Sequence, residues 1–256
     1  MDDLAVLDHE PNAPADPADP AATPARAAHV AVGPAVLRGE ALVKRYGQTE
    51  ALRGIDVEVG RGEILAVMGP SGSGKSTLLH CLAAIVRPDA GSVLYDGGRI
   101  DDLGESDRTK LRRRAFGFVF QFGQLVPELP AVENVALPLL LDGMSRRDAI
   151  EAASALFPQL GLEGLEGRRP GDMSGGQAQR VAVARALVTR PAVVFADEPT
   201  GSLDSLAGEQ VMELLTSSAR AEGVCVVLVT HEPRVAAYAD REVVVRDGRI
   251  SGLAAS

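Results

Sequence analysis

"EILAVMGPSGSGKSTLLHCL", residues 63–82, passes from an apolar run into a glycine-rich loop and then into apolar residues at helical spacing. The run ending at Met68 reads as a strand buried on both faces, because it does not alternate with polar residues. Gly69 to Ser76 satisfies G-x-x-x-x-G-K-[ST], and it stands after a strand and before a helix, where that pattern has a mechanism. The glycines let the backbone wrap phosphate oxygens, Lys75 reaches the terminal ones, and Ser76 supplies a hydroxyl to Mg²⁺. Gly69, Pro70, Ser71, Gly72, Ser73, Gly74, Lys75, Ser76 and Thr77 are therefore the expected phosphate cradle. Lys75 is one of only three lysines, with Lys44 and Lys110, in a chain that otherwise uses arginine.

Outward from this loop the chain alternates strands with helices. Upstream, "AVLRGEALVKRYG" and "GIDVEV" read as strands. Downstream, residues 76–86 are helical until "RPDAG" stops them, and "SVLYDGGRI" is a strand and turn. A basic helix follows from Asp107 to Arg114, and "FGFVFQ" is a short buried strand. Residues 123–173 change character and read as a helical insertion, with Ser145 a helix cap and Asp148 completing a capping-box-like pattern. "PAVVFADEP", a helix near 205–220, "VCVVLVTHE", a short helix and "EVVVRDGRI" close the chain, and Asp247-Gly248 in the last is a hairpin signal. Apolar strands alternating with helices predict an α/β fold with a mainly parallel sheet covered on both faces.

Such sheets bind ligands at the carboxyl ends of their strands. "VVFADE" ends in Asp197, placed to hold Mg²⁺ through water, and Glu198, placed to orient or deprotonate an attacking water. "VCVVLVTH" ends in His231, a candidate contact to the terminal phosphate. A second glycine loop, "DMSGGQAQRVAVARAL" at 172–187, opens a helix and so presents free N–H groups to an anion. It lacks the lysine of the first loop and the serine that follows that lysine.

These motifs, in this order from about Val36 to Ile250, resemble the nucleotide-binding subunits of ABC transporters. More narrowly, "GFVFQFGQLVPELPAVENVALPL" and "ADEPTGSLDS" resemble the lipoprotein-releasing, macrolide-exporting, peptide-resistance and cell-division (FtsE-type) branch. The resemblance implies a P-loop NTPase (RecA-like) core, an antiparallel β subdomain and an inserted α-helical subdomain. It makes Tyr46 the adenine-stacking residue and Gln121 a contact to Mg²⁺ and the attacking water. It makes Ser174, Gly175, Gly176 and Gln177 a signature that holds the partner's ATP, and Asp204, in "SLD", part of the loop that touches the opposite subunit. Implied partners are a second ATP-binding subunit in a head-to-tail dimer and an integral membrane permease of the FtsX or MacB kind, placing the chain at the cytoplasmic face of the membrane. An FtsE-like ATPase that does mechanical work without moving cargo is the rival reading. Met173, Ala178 and Pro158 depart from the family pattern without touching a nucleotide ligand.

Bulk properties agree. The formal charge of −9 over 256 residues is concentrated in residues 1–34, where six acids face only Arg26. That Pro/Ala/Asp-rich segment predicts a disordered tail, with the ATP-binding domain at 35–256. The remainder is mildly acidic, which argues against a nucleic-acid partner. No stretch approaches the roughly 18 apolar residues of a membrane span, and the acidic start is unlike a signal peptide. Cys81 and Cys225 lie in apolar patterns and read as core residues in a reducing compartment. Arg108, Lys110, Arg112, Arg113 and Arg114 read as a solvated helix face. Phe116, Phe118, Phe120 and Phe122, at period two, read as packing on one strand face, with those nearest Gln121 a candidate groove lining for a membrane partner.

Overall fold

The structure, a computed structural model, describes residues 35–254; the expected tail at 1–34 lies outside them. Two sheets organise the chain. The antiparallel one holds β1 (Ala35–Tyr46), β2 (Thr49–Gly60), β4 (Ala90–Tyr95) and β5 (Gly98–Arg99) in the order β2-β1-β4-β5. The larger one runs β10-β9-β3-β8-β7-β6, from β10 (Arg249–Ala254) and β9 (Arg241–Arg246) through β3 (Ile64–Met68), β8 (Cys225–Val229) and β7 (Val193–Asp197) to β6 (Phe116–Phe120). All its pairings are parallel except β9 with β10. This order sets the C-terminal ends of β3, β8 and β7 side by side.

The helices are α1 (Lys75–Leu82), α2 (Glu105–Ala115), α3 (Ala131–Leu141), α4 (Arg146–Ser154), α5 (Gly175–Leu187), α6 (Ser205–Glu222) and α7 (Pro233–Ala236). Leu65, Val67, Phe195 and Val227 face α1 and the antiparallel sheet, whereas Ile64, Val194, Val226 and Leu228 face α5 and α6. The parallel strands are thus buried on both sides, as their unbroken apolar runs require. A third cluster joins Val135, Ala149 and Phe157 of the helical segment to Val181 and Ala184 of α5. α5 therefore belongs to two cores at once, and its first two residues, Gly175 and Gly176, are the glycines of the second loop.

Several local readings change. α1 ends at Leu82, four residues short of the expected 86, because Ala84 turns to φ +54 and Ile85 N–H bonds back to the His80 carbonyl. Ser145 caps α4 by accepting from Asp148 N–H, without the reciprocal side-chain bond of a full box. The basic run of α2 is mostly paired, and of its five cations Lys110 and Arg114 are solvent-exposed. Arg113 and Arg114 both donate to Asp142, just past α3. Arg112 donates to the Ala84 carbonyl, and Arg108 is buried against Glu105. Phe116 and Phe118 pack on Phe195, and Phe120 stacks on Phe118, but Phe122 lies beyond the strand and is 74% exposed. Burial raises the Cys81 thiol to about 12, so that residue serves packing.

Candidate nucleotide site

β3 delivers the first glycine loop to the start of α1. That helix has Gly74 at its cap, no side-chain capping bond and no acid in its first turn. The first N–H groups of a helix have no intrahelical partner, so this end suits an anion. Lys75 is buried, and its ammonium donates to the carbonyls of Gly69 (2.8 Å) and Pro70 (3.0 Å). Its hydrogen bonds go to neutral loop carbonyls, and a phosphate would supply a charged acceptor. Ser73 Oγ is buried without a hydrogen-bond partner among the described residues. The nine residues 69–77 are thus contiguous around one helix end.

β7 brings two carboxylates to the same edge. Ser76 Oγ donates to Asp197 Oδ1 at 3.2 Å. Burial raises the Asp197 carboxyl above its ordinary range; the Ser76 bond, His80 and Lys75 oppose that, and Glu198 adds to it. A hydroxyl and a carboxylate in contact are hard oxygen donors of the kind Mg²⁺ takes, so the residues present fit a magnesium-bound triphosphate. Glu198 adopts φ +48, a strained conformation of the kind found at working sites. Its N–H donates to Val229 of the adjacent β8 at 2.9 Å. Glu198 Oε1 lies 2.8 Å from His231 Nδ1, while Oε2 is buried with no hydrogen-bond partner among the described residues. One carboxylate oxygen is therefore anchored and the other is left for a further polar group.

Other expected residues lie apart from this cluster. The Gln121 carbonyl accepts from Ser202 Oγ at 2.7 Å, and its side-chain amide packs on Gly201, where a Cβ would come within 2.8 Å of Nε2. The structure records no bond from it to Ser76 or Asp197. Asp204 caps α6, its carboxylate accepting from Ala207 N–H at 2.9 Å. Ser174 caps α5 through a reciprocal box: Gln177 N–H donates to Ser174 Oγ at 3.2 Å, and Ser174 N–H donates to Gln177 Oε1 at 2.9 Å. Gly175 and Gly176 abut Leu203 and Ala207, so the second loop and the Asp204 turn share one surface. Tyr46 is half exposed, with Lys44 Nζ 5.6 Å from its ring centroid.

Sequence reasoning missed the residues that hold the Gln121 loop. Arg185 of α5 donates to the carbonyls of Gly123 (2.6 Å) and Gln124 (2.8 Å), and Gln179 donates to Phe120 (2.9 Å). Burial lowers the Arg185 pKa, and among the described residues no carboxylate pairs with it. The available signal was polar side chains on a helix face otherwise made of alanine and valine.

Comparison with known proteins agrees with this geometry. A family model described as "ABC transporter" matches residues 52–201. The lipoprotein-releasing system ATP-binding protein LolD of Bordetella avium is 46% identical over 220 residues, 84% of this chain and 96% of that protein. The macrolide export ATP-binding/permease protein MacB of Nitrosomonas europaea is 45% identical over 85% of this chain but only 34% of its own length. Among solved structures, the ATP-binding cassette MJ0796, a dimer in a post-hydrolysis state bound to ADP and Pi, is 37% identical with a TM-score of 0.78. It covers 86% of this chain and 98% of that one. The matched span exceeds half of the chain, and the alignments with LolD and MJ0796 cover nearly the whole of those proteins. This chain is an ATP-hydrolysing member of the ABC transporter family.

Proposed function

We propose that the chain is the ATP-driven subunit of a transporter of the lipoprotein-releasing type, working as a head-to-tail pair on a separately encoded permease. Residues 69–77 bind the triphosphate, Tyr46 stacks on adenine, and Ser76, Asp197 and Gln121 hold Mg²⁺, which when bound neutralises charge on the transferring phosphoryl group. Glu198 positions or deprotonates the attacking water, and His231 orients that carboxylate and faces the terminal phosphate. Ser174, Gly175, Gly176 and Gln177 present the positive end of α5 to the nucleotide of the other subunit. Asp204 shapes the turn beside them.

The observation that carries the reading is the division of labour between two helix ends. The α1 end has a lysine, a hydroxyl and two carboxylates gathered about it. The α5 end has a capping box and no cation in its first turn. A phosphate-binding end whose loop has no lysine makes sense when another subunit brings the rest of the site, and the similar cassette MJ0796 is dimeric. No helix among the described residues is long and apolar enough to cross a membrane, which fits a peripheral subunit at the cytoplasmic face. Phe122, exposed beside Gln121, and Leu141, 62% exposed at the end of α3, offer apolar contact to the permease. Purification from membranes with identification of the bound protein tests this. A permease in stoichiometric amount is expected, and its absence alongside normal ATPase activity would refute the pairing with a permease.

A further inference from the structure

Two Asp-Gly turns in this chain are conformational twins. Asp96-Gly97 joins β4 to β5 with φ +48 and +77, and Asp247-Gly248 joins β9 to β10 with φ +48 and +73. Their surroundings differ. A Cβ on Gly97 would meet nothing within 4 Å, whereas a Cβ on Gly248 would lie 2.8 Å from the Ala51 carbonyl oxygen of β2. Gly248 N–H donates to the Ser73 carbonyl inside the phosphate loop at 3.0 Å, and the Gly248 carbonyl accepts from Arg53 N–H of β2 at 2.8 Å. The loop is also wedged between these strands. A Cβ on Gly69 would lie 2.1 Å from the Val245 carbonyl oxygen of β9, and one on Gly74 would lie 2.4 Å from that of Ala51.

This arrangement has a consequence for the loop's donors. In a trans peptide the C=O and the following N–H point in opposite directions. Holding the Ser73 carbonyl toward the turn therefore aims the Gly74 N–H away from it. The same turn grips β2, whose first residue, Thr49, pairs with Tyr46. One backbone residue thus ties the phosphate end of the site to β2, the strand paired with the end of β1 that carries Tyr46.

We propose that the Asp247-Gly248 turn is a positioning element of the nucleotide site, holding the Ser73–Gly74 peptide in its phosphate-binding orientation and in register with β2. The inference rests on reading residues 69–77 as the phosphate cradle. It makes the β9–β10 hairpin part of binding without any contact to nucleotide. By thermodynamic reciprocity, nucleotide must in turn tighten the hairpin's hold on the loop.

Gly97→Ala and Gly248→Ala impose the same backbone strain, so their comparison isolates the contact. Calorimetric titration with ATP and Mg²⁺ is expected to show affinity weakened about tenfold in Gly248→Ala, the scale of one disturbed buried hydrogen bond. Gly97→Ala should stay within about twofold of the parent, and kcat at saturating ATP should be retained in both. Equal affinities in the two variants would overturn the proposal. Lys75→Ala separates the levels: if it binds ATP like the parent, the cradle reading fails and the turn's role falls with it. If Lys75→Ala loses ATP while the two glycine variants match, only the turn's role fails. Should Gly248→Ala not fold, amide exchange on the unmodified chain decides. ATP should slow exchange at Gly248 and leave Gly97 unchanged; no added protection at Gly248 overturns the proposal.

Discussion

Replacing Ser174 by alanine and by aspartate sets stability and catalysis against each other. Ser174 Oγ accepts from Gln177 N–H at 3.2 Å, and it opens a 13-residue helix that joins two cores. Ser174→Ala removes that acceptor, at a typical cost of about 1 kcal/mol. In a domain of this size that lowers Tm by roughly 2–4 °C. Ser174→Asp keeps an acceptor at the cap, and a carboxylate at a helix N-terminus is favourable by about 0.3–1 kcal/mol, so Tm should hold or rise. The same carboxylate meets the phosphate of the opposite subunit in the proposed pair. Like charges about 4 Å apart at an interface repel by about 1–4 kcal/mol, which weakens ATP-driven pairing roughly 5- to 1,000-fold. Ser174→Asp is thus expected to be as stable as the parent, to bind ATP as a monomer with unchanged affinity, and to lose hydrolysis. Thermal melts, calorimetry and steady-state ATPase rates read the three quantities. Hydrolysis at the parent rate would show that no phosphate meets this helix end, and loss of ATP binding by the monomer would place the loop on its own nucleotide.

Asp197→Asn should raise the Tm of the nucleotide-free chain at pH 8, because burial disfavours the charged form of this carboxyl in the folded state. A raised folded pKa makes the penalty complete above that pKa and absent below about 3.8, the ordinary aspartate value, so the gain should shrink as pH falls; melts from pH 4 to 8 check the sign. Phe122→Ser alters a side chain that is 74% exposed. Stability should change by no more than about 0.5 kcal/mol and intrinsic ATPase activity should persist, while recovery of the permease from membranes falls. Deleting residues 1–30, whose composition supplies little to bury, should leave Tm and ATPase rate unaltered, and a drop of several degrees would show that the segment docks.

The parts of the site that can be read directly from sequence are those whose chemistry demands a residue type at a fixed spacing. A loop that wraps phosphate with backbone needs its glycines, its lysine and a hydroxyl within eight positions, so 69–76 is legible without a fold. The strand ends at Asp197 and His231 are legible because a buried strand has few reasons to stop in charged residues. Their adjacency follows from strand order, which local pattern does not encode, and the 2.8 Å Glu198–His231 contact appears only when β7 and β8 pair. Arg114 is solvent-exposed as the sequence suggests, but its pairing with Arg113 on Asp142 is not legible, because that acceptor lies 28 or more residues along the chain. α1 was drawn too long because nothing in "LAAIV" marks Ala84 as the left-handed residue that stops it. The assignment of Gln121 to the metal comes from resemblance and not from its local sequence; its carbonyl is held by Ser202 and its amide packs on Gly201. Its reach depends on a loop whose carbonyls Gln179 and Arg185 hold, contacts invisible to a motif.

The most direct test of the composite site is the mass of Glu198→Gln in solution with and without ATP. This substitution keeps the shape of a side chain whose Oε1 contacts His231 but removes the charge, and loss of a positioned acid-base group slows chemistry by about 10²- to 10⁴-fold. ATP should therefore persist long enough to hold the closed pair. Light scattering on a sizing column is expected to give about 27 kDa without nucleotide, from a chain of 26.7 kDa, and twice that with ATP. Adding Ser174→Asp should return the mass to that of one chain with ATP still bound. A chain that saturates with ATP yet remains a monomer as Glu198→Gln, or one that hydrolyses ATP at the parent rate in that form, would contradict the account.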